Sequence, residues 1–215
     1  MRKLDGVTET VPRTQLTRDA IIRTAVELIE RDGEAAISMR RIAGELRYGV
    51  MSLYNHVPSK ESLLDAVSEH VMAGFDFAPD PAADWKDQTR AMVRSFRALA
   101  RRYPRCLNVV ISRQMNSTAG LQPLEAALAT ARSAGFDGET SIRIMRTFVA
   151  YALGGLLNEA RLNAYPDRSE KGGRVDPARF PNIAELGRSL THADHDKDFE
   201  FGLELLISAV SALPR

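Results

Sequence analysis

The residues best suited to chemistry lie between Ser38 and Lys60, in the run SMRRIAGELRYGVMSLYNHVPSK. From Ala35 to Lys60 there are four cations, Arg40, Arg41, Arg47 and Lys60, against one acid, Glu45. Cations neutralise phosphates, and an arginine fork also fits a guanine edge. Leu53 and Val57, four residues apart, can bury one face of a short helix with help from Ile42 and Leu46. The opposite face then carries Met51, Ser52, Asn55 and His56, with Tyr54 at its edge. Such a face can read base edges in a major groove, which is just wide enough for one helix. Val50 and Met51 suit thymine methyls. Arg40 can reach a guanine edge or a phosphate, and Arg47 can add a phosphate contact. Lys60 opens the next helix, whose N-terminus itself attracts phosphate.

These side chains need a frame. Thr17 is a candidate N-cap for a first helix with Ile21, Ile22, Ala25, Leu28 and Ile29 at helical spacing, closed by Gly33. Ser38 can cap a short second helix, and a third runs from Val50 to about Val57. Ser59 can cap a fourth, ending near Gly74. Two short helices behind a longer amphipathic one are the layout of a three-helix, helix-turn-helix unit. Beyond Asp84, helices are predicted over Trp85–Tyr103, Pro104 to about Gln114, Leu121–Ser133, Gly138 or Glu139 to Asn163 and about Asp196 to Leu213. Residues Tyr165–Pro181, with three prolines and a Gly-Gly pair, read as a long loop. No segment alternates as a half-buried strand would. The expected class is all-α: a tail over 1–16, a helix-turn-helix domain over 17–63, and a larger helical domain over 64–215.

Composition narrows the setting. A formal charge of +1 neither demands nor excludes nucleic acid, so the local surplus around Ser38–Lys60 decides. One cysteine, Cys106, cannot form an internal disulfide; with no signal-peptide pattern and no apolar run long enough to span a bilayer, a cytoplasmic protein is expected. Glycine-rich phosphate loops, nucleophile elbows and His-Glu metal motifs are missing from the sequence, so no enzyme, no cofactor and no metal are expected. His192, Asp194, His195 and Asp196 crowd one junction without sharing a helical face, which suits a solvated cap better than a metal site.

The stretch SLYNHVPSKESLLDAV resembles the tetracycline-repressor (TetR) family, in which a Leu-Tyr-x-His pattern ends the recognition helix and a lysine opens the next. Trp85, Ser95-Phe96-Arg97, Gly135-Phe136 and Phe201–Leu206 look like landmarks of that family's regulatory domain. The resemblance implies a homodimeric regulator, a repressor, that binds a palindromic double-stranded DNA operator and is released by a small-molecule effector. It places Arg40, Val50, Met51, Tyr54 and His56 on groove-facing positions and Lys60 on a phosphate-contacting one. Where the family's turn commonly reads Leu-Gly-Val, this chain has Leu46-Arg47-Tyr48, with the glycine displaced to Gly49.

The tetracycline repressor holds its drug as a magnesium chelate, which needs an imidazole and hard oxygen donors. Alignment on the shared landmarks puts Met92 where a drug-contacting amide is expected and Val110 where the imidazole is; Asn158 takes the place of an expected acid, although Glu159 follows directly, so the expected pocket is apolar and metal-free. Its expected lining is Met92, Phe96, Val110, Met115, Leu128 and Phe148, with Arg113 or Asn158 as polar anchor; Arg113 can equally face solvent. Phe199, Gly202, Leu203, Leu206, Ile207 and Val210 share a face of the last helix. Phe148, Ala152, Gly155 and Leu156 share one on the helix before the long loop, and the two faces are expected to form a four-helix bundle with a second copy. Two other readings compete: an apolar-ligand carrier or helical enzyme, which would not need a free cationic face, and an architectural DNA binder, which would not need so large a second domain.

Overall fold

The computed structural model describes residues 15–80, 82–163, 175–191 and 194–215. The first fourteen residues of the expected tail and most of the expected long loop lie outside the described residues. The fold is all-α, and no strand occurs among the described residues.

Helix α1 (Arg18–Asp32) starts where Thr17 Oγ1 accepts the Ala20 N–H at 3.1 Å. Leu16 already packs on the core, so ordered packing begins inside the expected tail. Gly33 ends the helix at φ +86°, a conformation that favours glycine. Helix α2 (Met39–Leu46) is capped by Ser38, and α4 (Lys60–Met72) by Ser59. Between them, α3 (Val50–Tyr54) is shorter than expected, leaving Asn55 and His56 in the turn that follows. Ile21, Leu28, Ile29, Ile42, Leu53 and Leu63 are fully buried between these four helices.

The displaced glycine has a local cost. Arg47 takes the left-handed conformation (φ 58°, ψ 40°) at the end of α2, while Gly49 sits at an ordinary φ of −69°. A non-glycine residue held there costs roughly 1 kcal/mol.

Helix α4 continues past the expected boundary at residue 63. Val67, Val71 and Met72 extend the same apolar core to Leu99, Cys106, Val109 and Val110. These last belong to α5 (Trp85–Arg102), the Arg105–Cys106 turn and α6 (Leu107–Arg113), which ends in a 3-10 turn, Gln114–Asn116. Helix α7 (Thr118–Ser133) starts three residues before the expected Leu121, because Ser117 Oγ accepts the Gly120 N–H at 3.2 Å. Helix α8 (Gly138–Asn163) and α10 (His195–Ser211) close a second core with α5 and α7, around Val93, Phe136, Phe148, Phe199, Leu203 and Ile207. Helix α9 (Pro181–Thr191) was not expected. Proline at a first helical position lacks only an N–H that would have no partner there, so Pro181 opens this helix instead of ending the preceding loop.

The expected dimer face is corrected by this packing. Phe199 (4% exposed), Leu203 (0%), Ile207 and Val210 of α10 are buried within the chain, as are Phe148 and Ala152 of α8. Gly202 serves the same internal contact: a Cβ there would lie 2.3 Å from the Tyr151 hydroxyl, which donates to Phe199 O at 2.7 Å. The stripes that are too apolar for water were satisfied inside one protomer.

Candidate nucleic-acid interface and effector cavity

Around α2 and α3 the cations divide into two groups. Arg41 pairs with Asp32, and Arg31 bridges Asp32 and Glu45 at 2.8 and 2.6 Å. Glu45, the lone local acid, is therefore occupied. Arg40, Arg47 and Lys60 are exposed and make no ion pair among the described residues. Met51 is 75% exposed and Tyr54 40%, with Asn55 and His56 also exposed. Ser52 is half-buried, and Val50 packs partly on the core, leaving less of it for a thymine methyl. Leu53 and Val57 are buried beneath, holding the exposed face at a set angle. Tyr54 thus stands on the surface face, not in the core. The nine residues Arg40, Arg47, Val50, Met51, Ser52, Tyr54, Asn55, His56 and Lys60 lie on α2 and its C-cap, on α3, in the turn after α3 and at the first residue of α4.

A cavity of about 480 Å³ lies behind this head, enclosed by the end of α4 and by α5, α6, α7 and α8. Met92, Phe96, Val110, Met115 and Phe148 line it. Arg113, Leu128 and Asn158 do not. Arg113 turns the other way: its guanidinium pairs with Asp65 at 2.8 Å and with Glu61, both on α4. Helix α7 presents Leu124, Ala127 and Ala131 to the cavity, at i, i+3 and i+7, which leaves Leu128 on the flank. Asn158 is exposed and five residues beyond Leu153, the last lining residue of α8, hence roughly 7 Å further along the axis. Sequence reasoning missed the polar lining residues Thr89, Gln114, Thr130 and Arg146. Thr89, Thr130 and Arg146 fall on helices whose signal in the sequence is their apolar period, and Gln114 opens the 3-10 turn after α6.

No Asp, Glu or His lines the cavity among the described residues. The Glu next to Asn158, Glu159, is used elsewhere. It accepts from Arg97, which is buried, and from Arg101 at 2.9 Å. Arg97 also reaches Asp196 at 2.9 Å and the His195 carbonyl at 2.8 Å, and stacks on Phe199 at 4.1 Å. Burial pushes the Glu159 carboxyl up, but the two guanidiniums outweigh it and hold it below the usual glutamate range. Asp194 caps α10 by accepting the Lys197 N–H at 3.1 Å. His192 lies outside the described residues. Cys106 is fully buried, and desolvation pushes its thiol well above the ordinary range, as suits a packed, unreactive group.

Residues 21–67 match the family model for bacterial regulatory proteins of the tetR family, and residues 78–213 match the tetracyclin repressor-like C-terminal domain. The HTH-type transcriptional repressor DrrR1 of Streptomyces coeruleorubidus is 28% identical over 220 residues, 94% of this chain and 80% of that protein. The class A tetracycline repressor from transposon 1721, of Escherichia coli, is 26% identical over 204 residues, 92% of each chain. Among solved structures, ActR of Streptomyces coelicolor in complex with actinorhodin superposes with a TM-score of 0.75 at 28% identity, over 93% of this chain and 98% of that one. With both halves of the chain matched in order, and with a helix-turn-helix head ahead of a helical domain, the protein belongs to the TetR family of bacterial transcriptional regulators.

Proposed function

We propose that the protein is an effector-released repressor: a homodimer that grips a palindromic operator through α2 and α3, and lets go when a small, mostly apolar molecule fills the cavity. One observation carries this reading. The α6 segment forms a cavity wall with Val110, Ile111 and Gln114, and on its other side Arg113 and Asn116 hold Glu61 and Asp65 of α4, next to Lys60. A ligand that moves this wall therefore acts on the helix that opens at the DNA end. ActR binds actinorhodin and DrrR1 is a repressor, which supports the same logic here.

The dimer face moves to the sides of α8 and α10 left uncovered. Leu157 (74% exposed) follows Ala150 and Gly154 at helical spacing on α8; Phe201 (69%) and Leu205 (55%) do so on α10, with Ala209. Small residues beside large ones let two copies approach closely.

The test begins with a thermal-shift screen of small hydrophobic molecules. Those that stabilise the wild type but not Ala127→Trp or Leu124→Trp, each of which places a bulky ring at a cavity-lining position, should release a bound operator in fluorescence anisotropy. Coupling of this kind changes DNA affinity by about 5- to 150-fold. Molecules that occupy the cavity and leave operator affinity unchanged would overturn the proposal.

A further inference from the structure

We infer that Arg146 is an anion anchor at the rim of the cavity, so that the effector is an organic anion: an apolar body bearing one carboxylate-like or sulfonate-like group. This rests on the effector-site reading above and narrows it to a ligand class.

The polar inventory of the cavity carries the inference. Among the described residues, four polar side chains line it besides the Trp85 indole: Thr89, Gln114, Thr130 and Arg146. Thr89 donates its hydroxyl proton to Trp85 O at 2.7 Å. Thr130 is held by Ala126 O at 2.8 Å, with Gln88 Oε1 at 3.4 Å. Both hydroxyls can then only accept from a ligand. Gln114 offers an amide, and Arg146 is the one charged group in the lining among the described residues.

Arg146 also differs from its neighbours. Arg143, one turn earlier on α8, pairs with Glu139 at 2.5 Å. Arg90 and Arg94 on α5 hold Glu204 and Glu200, at 2.6 Å each. Arg97 holds Glu159 and Asp196, and Arg113 holds Glu61 and Asp65. Arg146 makes no hydrogen bond or ion pair with any described residue. It is exposed in the protomer, between the cavity-lining residues Met145 and Val149. A ligand whose apolar body fills the Met92–Phe96–Phe148 region would bring its charged end out beside this guanidinium. The charge could keep part of its hydration while gaining a forked, charge-assisted hydrogen bond. With no carboxylate in the lining among the described residues, a cationic ligand would meet an unbalanced positive charge instead.

The experiment uses the full-length protein and two fluorescent probes of nearly identical body: anilinonaphthalene sulfonate, an anion, and phenylnaphthylamine, which is neutral. Titrations are run on the wild type, Arg146→Leu, Arg146→Lys, Ala127→Trp and Leu124→Trp. The sulfonate should weaken about tenfold or more in Arg146→Leu, the scale of a charged hydrogen bond, and recover in large part in Arg146→Lys. Phenylnaphthylamine should stay within about twofold throughout the Arg146 series, and both probes should be lost in the tryptophan variants. If Arg146→Leu shifts both probes alike, or neither, the anchor is wrong while the cavity stands. If the tryptophan variants bind both probes as well as the wild type does, the cavity itself is not the site.

Discussion

Arg113 Nη1 lies 2.8 Å from Asp65 Oδ1, and Asn116 Nδ2 donates to the same oxygen at 3.0 Å. These two contacts join the cavity wall to the N-terminal half of α4. They hold the Asp65 carboxyl below its usual range, Asn116 contributing most and Arg113 next. The clasp is partly exposed, so its value for stability is small. Its position matters more than its strength. In Arg113→Ala, affinity for a cavity ligand should stay within about threefold, while the effector concentration for half-release of operator should shift by about fivefold or more. Calorimetry reads the first quantity and anisotropy the second. Equal shifts in both would mean that Arg113 affects binding alone.

Two glycines make opposite predictions about stability. A Cβ on Gly120 would lie 2.1 Å from Gln114 O, a backbone atom that cannot swing away. Gly120→Ala should cost about 2 kcal/mol and disturb the Gln114 wall. Gly44, inside α2, has nothing within 4 Å of its added Cβ, so Gly44→Ala should stabilise by up to about 1 kcal/mol. Urea denaturation of the two variants should move the midpoint in opposite directions.

Much of the head was legible in the sequence, because its signals are local. Thr17, Ser38 and Ser59 cap the helices they were expected to cap, and Leu53 and Val57 take the buried side of the recognition segment. The pocket was legible only in part. Spacing shows which face of a helix is apolar but not whether that face meets a cavity, a neighbouring helix or a second copy. Arg113 and Arg146 illustrate this: both are arginines on amphipathic helices, yet one is claimed by acids 48 and 52 residues away in sequence and the other by no described residue. The face of α10 was misassigned for the same reason, since Tyr151 and Phe148 reach it from a helix nearly fifty residues earlier.

That correction separates two kinds of variant. Leu157→Glu combined with Leu205→Glu should give a folded monomer in sedimentation velocity, because both side chains are exposed in one protomer. Leu203→Ala, at a fully buried site, should instead lower stability by about 3 kcal/mol whatever the assembly state. A Leu157→Glu/Leu205→Glu protein that remained dimeric would place the interface elsewhere.

Glu159 sets an acid limit on the regulatory domain. Its carboxyl is held below the usual range by Arg97 and Arg101, in spite of burial. A group lowered in the folded state stabilises fully above its unfolded value, about 4.3 for glutamate, and loses that contribution as pH falls through the folded value. Asp196, lowered mainly by Arg101, acts in the same direction. Melting temperature should therefore drop on acidification below this range, and Glu159→Ala should reduce that dependence. The variant should also cost about 3 kcal/mol at neutral pH, since it strips buried Arg97 of its nearest anion. A Glu159→Ala protein as stable as wild type would show that Asp196 alone suffices for Arg97.

Operator reading by the exposed α2–α3 face is the centre of the account, and selection from random-sequence duplex DNA tests it most directly. The intact protein should enrich an inverted repeat whose half-site centres lie about one helical turn apart or a little more. On that site, Lys60→Ala should weaken binding to matched and mismatched sequences alike and reduce the salt slope by about one, whereas Arg40→Ala should relax preference at one position of each half-site. Enrichment of no repeat, or wild-type binding by both variants, would contradict it.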